Sequence, residues 1–161
     1  LAKVITSVGK MNYEELHDKL ALLGADLLAE VLPLIGARKL VPQEQNDDEA
    51  TYAGLITKQD GRIDFSKTAE QIERQIRAFD PWPGAFCSYK DQTLKIWQAQ
   101  VLDGGAGETP GKILAVSDEG IDIACGEGIL RARQIQLPGK KRVAVKDFLR
   151  GNRIEKDCIL G

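Results

Sequence analysis

At Pro81-Trp82-Pro83-Gly84 the apolar pattern of the chain switches from helical to alternating, and that switch leaves few folds open. Upstream, Leu16, Leu20, Leu23, Leu27, Val31 and Leu34 recur at spacings of three and four, as do Ala69, Ile72, Ile76 and Phe79. This is the period of helices that bury one face. Downstream, residues 85–89, 94–102, 112–116, 121–125 and 129–137 read as short strands. Asp91-Gln92, Glu119-Gly120 and Gly126-Glu127-Gly128 supply the turns between them, and Asp103-Gly104-Gly105-Ala106-Gly107 reads as a flexible loop.

Strands so close together, joined by short loops, predict a closed or nearly closed antiparallel barrel, with a split sheet as the alternative. The fold class expected is α+β: an N-terminal helix and linker, then a small antiparallel OB-like β-barrel with one flanking helix. Asn12 with Glu15 three places on forms a capping pair and sets the start of the first helix. Gly24 weakens that helix by about 1 kcal/mol, and Pro33 is expected to bend or end it. Either Ser66 or Thr68 can cap the second helix, which must stop by Asp80 because Pro81 disfavours helical geometry in the residue before it. One or two helical turns are expected at residues 145–149. Between the two helices, Val41 to Glu49 is polar and acidic with no repeated apolar position. The division expected is therefore 1–37 as the closing helix of a domain that lies mostly upstream, 38–60 as linker and 61–161 as the barrel. The opening Leu1-Ala2-Lys3 reads as a sequence cut from something longer.

Charge is distributed unevenly although the net is only −2. Between Ile129 and Arg153 there are eight basic residues against the single acid Asp147, and a local field of one sign attracts polyanions. Arg131 and Arg133, two apart on a strand, point the same way; Lys140, Lys141 and Arg142 follow in a turn, and Arg150 comes after it. Arg74 and Arg77 share one face of the second helix, where pairing with Glu70 and Glu73 competes with any binding role. For the strand and turn cations the competing reading is a plain solvated face. Trp82, between prolines, and Trp97, on an apolar strand, could stack on bases, but core or lid packing is the expectation for both.

The residues offer no catalytic or metal reading. His17 is the only histidine and has no neighbour to orient it. Asp47-Asp48-Glu49 reads as a solvated charge run rather than a metal site. Cys87, Cys125 and Cys158 are odd in number, without a CxxC pair, so neither a disulfide framework nor a zinc site is expected, and a reducing cytoplasm suits them. No stretch approaches the roughly 20 apolar residues of a membrane-spanning helix.

One block is more specific than any of these patterns. Gly61-Arg62-Ile63-Asp64-Phe65-Ser66, continuing through Ile72-Glu73-Arg74-Gln75-Ile76-Arg77-Ala78-Phe79-Asp80-Pro81-Trp82-Pro83-Gly84-Ala85, resembles the segment that opens the C-terminal domain of bacterial methionyl-tRNA formyltransferases. Thr51-Tyr52-Ala53, Leu94-Lys95-Ile96-Trp97, Leu137-Pro138-Gly139-Lys140-Lys141-Arg142 and Asp147-Phe148-Leu149 are similar to flanking parts of the same family, so the likeness runs from Tyr13 to Gly151. Leu55 and Phe65 depart from it, standing where the family often has Lys and Trp. The resemblance implies an upstream Rossmann-like catalytic domain with an Asn, a His and an Asp at its active site, 10-formyltetrahydrofolate as the cofactor bound there, and initiator methionyl-tRNA as partner. It also implies no catalytic residue and no cofactor in this chain. Under it, Lys140, Lys141, Arg142, Arg131, Arg133, Arg150, Arg74 and Arg77 become the candidate RNA-binding residues. Two rivals are a formyltransferase-superfamily barrel that serves a sugar nucleotide or a folate, and a stand-alone oligonucleotide-binding module.

Overall fold

A computed structural model of the chain describes residues 2–105 and 107–161; Leu1, and Ala106 of the expected loop, lie outside the described residues. The chain divides into two compact units, Leu1–Ile56 and Thr57–Gly161.

In the first unit helix α1 (Tyr13–Gly36) starts at Asn12 with a reciprocal capping box: the Asn12 side chain accepts from the Glu15 amide at 2.9 Å, and the Glu15 carboxylate accepts from the Asn12 amide at 3.0 Å. Pro33 does not end it; the helix runs three residues further, and the Ala37 amide closes onto the Pro33 carbonyl at 3.0 Å. Leu16, Leu23, Leu27, Val31 and Leu34 are half-buried, which is the expected stripe without Leu20. Lys3 reaches Glu30 at 2.6 Å. His17 is exposed, its Nδ1 3.1 Å from Asp18. Asp47, Asp48 and Glu49 form a single 3-10 turn capped by Asn46, and among the described residues no group of acids, cysteines or histidines is placed to hold a metal ion.

The second unit carries the hydrophobic core. Helix α2 (Ala69–Ala78) is capped by Thr68, whose hydroxyl accepts from the Gln71 amide at 3.2 Å while the Gln71 side chain accepts from the Thr68 amide at 3.1 Å. Ser66 instead donates its hydroxyl to Asp64 at 2.6 Å. The helix buries Ala69, Ile72 and Ile76 across β2 (Gln92–Leu102) and β5 (Ile129–Gln136). The remaining strands are β1 (Ala85–Tyr89), β3 (Ile113–Ser117), β4 (Gly120–Ala124) and β6 (Val143–Ala144), and helix α3 (Val145–Leu149) follows at once. All neighbours are antiparallel in the order β1-β2-β5-β4-β3, with β6 paired to β5.

That path is open, with β1 and β3 as its edges, and the C-terminal tail spans both. Gly161 and Ser88 exchange main-chain hydrogen bonds at the β1 edge. At the other edge Cys158 and Leu160 bond the backbone of Ile113 and Gly111 at 2.8 and 2.9 Å, and Ile154 and Leu160 enter the core. The unit is thus an antiparallel barrel closed by its own tail, with α2 flanking it.

Where the lead-in to α2 meets the β4–β5 turn, Gly126 is required by crowding. A Cβ there would stand 1.9 Å from the Ser66 carbonyl oxygen, a backbone atom that cannot swing aside. Gly126→Ala is therefore expected to destabilise the fold by about 1–3 kcal/mol, the usual range for overpacking, read as a lower urea midpoint with circular dichroism. An unchanged midpoint would show that this contact is looser than the geometry implies.

Candidate nucleic-acid interface

The outward faces of β2 and β5 meet at a double irregularity. Ile96 pairs with Ile135, Gln98 with Gln134 and Ala99 with Ala132, so Trp97 on one strand and Arg133 on the other are left out of the register. On β2 the bulge inverts the inside–outside alternation: Leu94 and Ile96 point inward before it, Ala99 and Val101 pack against the core after it, and Trp97 stands on the outer side of the sheet.

Trp97 is nevertheless only 7% exposed, because it is covered from outside. The Arg142 guanidinium lies 3.3 Å above its ring centre, Lys95 Nζ lies 5.2 Å away, and Gly84 packs so closely that a Cβ at that position would stand 2.7 Å from the indole. Cation–π contacts of this kind contribute roughly 0.5–2 kcal/mol. The indole nitrogen donates to the Gln136 side chain at 2.8 Å, and the other end of that amide donates to the Lys140 carbonyl at 2.6 Å. Arg142 also pairs with Asp80 at 2.8 Å, and Lys95 donates to the Pro83 carbonyl at 3.1 Å. One buried indole therefore fastens together the turn at residues 80–84 and the basic turn at residues 137–142.

The eight candidate cations do not behave alike. Arg131 is engaged by Asp122, its register partner across β4 and β5, at 2.6 and 2.9 Å, and by Glu119 as well. The Asp122 hydrogen bonds first, and Glu119 after, raise its guanidinium pKa further above an already high value. Arg74 pairs with Glu70 and Arg77 with Glu73, each at 2.8 Å, while Arg150 pairs with Asp147 at 3.2 Å. Arg142 is held by Asp80 and Trp97. Among the described residues Arg133, Lys140 and Lys141 are exposed and have no carboxylate within ion-pair distance. All three flank the Trp97 junction.

Lys95, Asp80 and Gln136 were not read as candidate binding residues from the sequence, since their relation to the basic turn runs across strands. Trp97 keeps the packing role expected of it. Trp82 does not: more than half of its surface, 55%, faces water.

Among the described residues no polar or charged side chain is buried. The three cysteines are free, and burial pushes the Cys87 thiol up to about 12 and the Cys125 thiol to about 11, away from nucleophilic character. The arrangement on the outer face can hold an anion and stack a planar group. No helix among the described residues is long and apolar enough to cross a membrane.

Comparison with known proteins gives this barrel its family. Residues 55–153 match the family described as formyl transferase, C-terminal domain, and the chain belongs to it. Its relatives include the methionyl-tRNA formyltransferases of Alkaliphilus oremlandii, 45% identical over 147 residues that cover 91% of this chain and 47% of that protein, and of Caldanaerobacter subterraneus, 43% identical over 147 residues with 91% and 47% covered. The enzyme of Methylococcus capsulatus is 45% identical over 134 residues, 83% of this chain and 43% of its own length. The chain spans about half the length of the curated relatives it matches. Among solved structures, a variant of HypX from Aquifex aeolicus superposes with TM-score 0.63 over 88% of this chain and 26% of its own, at 16% identity. HypX of the same organism in complex with tetrahydrofolic acid gives 0.55 over 77% and 22%, at 20% identity. At these identities the likeness is one of fold.

Proposed function

We propose that this chain is the tRNA-holding part of a bacterial, cytoplasmic methionyl-tRNA formyltransferase, and that Lys140, Lys141 and Arg133 set the phosphate backbone of initiator methionyl-tRNA against the barrel. The observation that carries the reading is the basic turn: its two lysines have no carboxylate partner, yet its backbone is pinned through Gln136 to Trp97. Such a turn presents charge without first having to be ordered. Each phosphate it neutralises releases condensed counterions, so binding is strong at low salt and fades as salt rises. Contacts of this kind fix position and orientation rather than sequence.

Arg142 acts in this reading as a positioning residue, since its guanidinium is already committed to Asp80 and Trp97. Arg131, Arg74, Arg77 and Arg150 rank behind the lysines, because each must exchange an existing carboxylate for a phosphate. The reaction belongs to the catalytic domain that the relatives' greater length leaves room for. There 10-formyltetrahydrofolate supplies the formyl group and the methionyl amino group receives it. No residue of this chain is assigned to the folate. The chain alone is expected to hold tRNA without formylating it.

Replacing Lys140 and Lys141 together by alanine should weaken initiator tRNA binding roughly ten- to thirtyfold near physiological salt and reduce the slope of log affinity against log salt by about two. Filter binding of the chain at a series of salt concentrations measures both. Parental affinity with a parental slope would remove the basic turn from the interface.

A further inference from the structure

Between the buried Pro83 and the ion-paired Asp80, one side chain points the other way. Trp82 is 55% exposed, and among the described residues of the barrel unit it is the one aromatic side chain with most of its surface in water. Its backbone is not free to fold it inward. The Gly84 amide closes onto the Phe79 carbonyl at 2.9 Å, Lys95 holds the Pro83 carbonyl at 3.1 Å, and Arg142 holds Asp80 at 2.8 Å. Gly84 lies flat against Trp97. The residues on either side of Trp82 are thus clamped to the same Trp97 and Arg142 that anchor the basic turn, while the indole itself is left to solvent.

We infer that Trp82 is a stacking platform for an unpaired RNA base, placed beside the phosphate-binding lysines so that one nucleotide is held by its backbone and its base together. The inference rests on the phosphate-binding reading of Lys140 and Lys141 and adds to it the class of nucleic acid recognised: single-stranded or extruded nucleotides, whose faces are open, rather than a stacked duplex. An indole offers a large flat surface to any base, and a platform whose neighbours are already fixed loses little freedom when the base arrives. Lys95, half-buried beside Trp97 and bonded to the carbonyl next to Trp82, adds positive potential at the same edge.

The test uses the whole chain with a short oligoadenylate strand and with a blunt duplex RNA of equal length, at several salt concentrations. Trp82→Ala should lower affinity for the single strand roughly five- to a hundredfold, the span measured for loss of one stacked base, while leaving duplex affinity and the salt slope where they are. Trp82→Phe, which keeps a ring, should retain most of the binding. Indole emission of the parent should be quenched by the single strand, and that quenching should vanish in Trp82→Phe, which leaves only the covered Trp97. An unaltered urea midpoint for Trp82→Ala would show that the loss is not one of folding. If Trp82→Ala binds the single strand as the parent does while the double lysine variant does not, stacking is overturned and the phosphate reading stands. If neither RNA binds at low salt, both fall together.

Discussion

A chain that stops at Lys156 is expected to lose the cooperative unfolding of its barrel. Residues 157–161 carry the main-chain bonds that join the two sheet edges: Asp157 and Cys158 to Ile113, Leu160 to Gly111, and Gly161 to Ser88. Each such bond contributes about 0.5–1.5 kcal/mol net. Leu160 is 3% exposed, and truncating a buried leucine typically removes about 2–5 kcal/mol. Lys112, held to Asp157 at 3.5 Å, loses one of its partners as well. Together these losses approach the roughly 5–15 kcal/mol that a domain of this size has in total. The edge of β3, and the part of the β1 edge beyond the Ile63–Phe86 bond, would also be open to pairing with other molecules. Urea unfolding followed by circular dichroism checks the outcome, with Leu160→Ala as the milder variant expected to retain a transition shifted by about 2–5 kcal/mol. A truncated chain that unfolds at the parental midpoint would mean that the tail lies on a barrel already closed without it.

The second large effect is expected at Trp97. Trp97→Ala should remove about 3–5 kcal/mol of stability, as large aromatic truncations at buried sites do, and it should also weaken RNA binding where the protein is still folded. The two effects share one cause. Without the indole, Arg142 loses the ring 3.3 Å beneath it, Gln136 loses its donor, and the Lys140 carbonyl is bonded to an amide that nothing else orients. The lysines stay in the chain but no longer in one place, so affinity falls while the number of cations is unchanged. Chemical denaturation and tRNA binding measured on the same preparation separate the terms. Trp97→Phe should recover much of the stability, but not the hydrogen bond to Gln136. Full RNA affinity in folded Trp97→Ala would show that the basic turn needs no anchor.

Much of the fold was legible in the chain because its signals are local. The Asn12–Glu15 capping box could be read directly, since both partners fall within one helical turn. The five longer strands lie within two residues of the expected bounds because each is an apolar-rich run that ends at a glycine or aspartate turn. Thr68 rather than Ser66 caps α2, and the sequence left both open because Ser66 has a competing acceptor in Asp64 two residues back. Missed altogether were β6, only two residues long, and the tail. Ile154, Cys158 and Leu160 lie in a tail with no helix or strand of its own, so no local period marks them as core.

By itself the sequence determined the elements, their caps, the change of period at Pro81 and the family likeness, all of which are written in short-range spacing. It also determined that positive charge gathers between Ile129 and Arg153. Only the tertiary structure decided which of those charges are available. Asp122 stands opposite Arg131 because β4 and β5 pair in that register, and Asp80 meets Arg142 beside Trp97, which a bulge turns outward beneath the guanidinium. Attraction between charges is decided over a few ångströms of space, and no local spacing specifies which distant carboxylate the folded sheet brings within that distance.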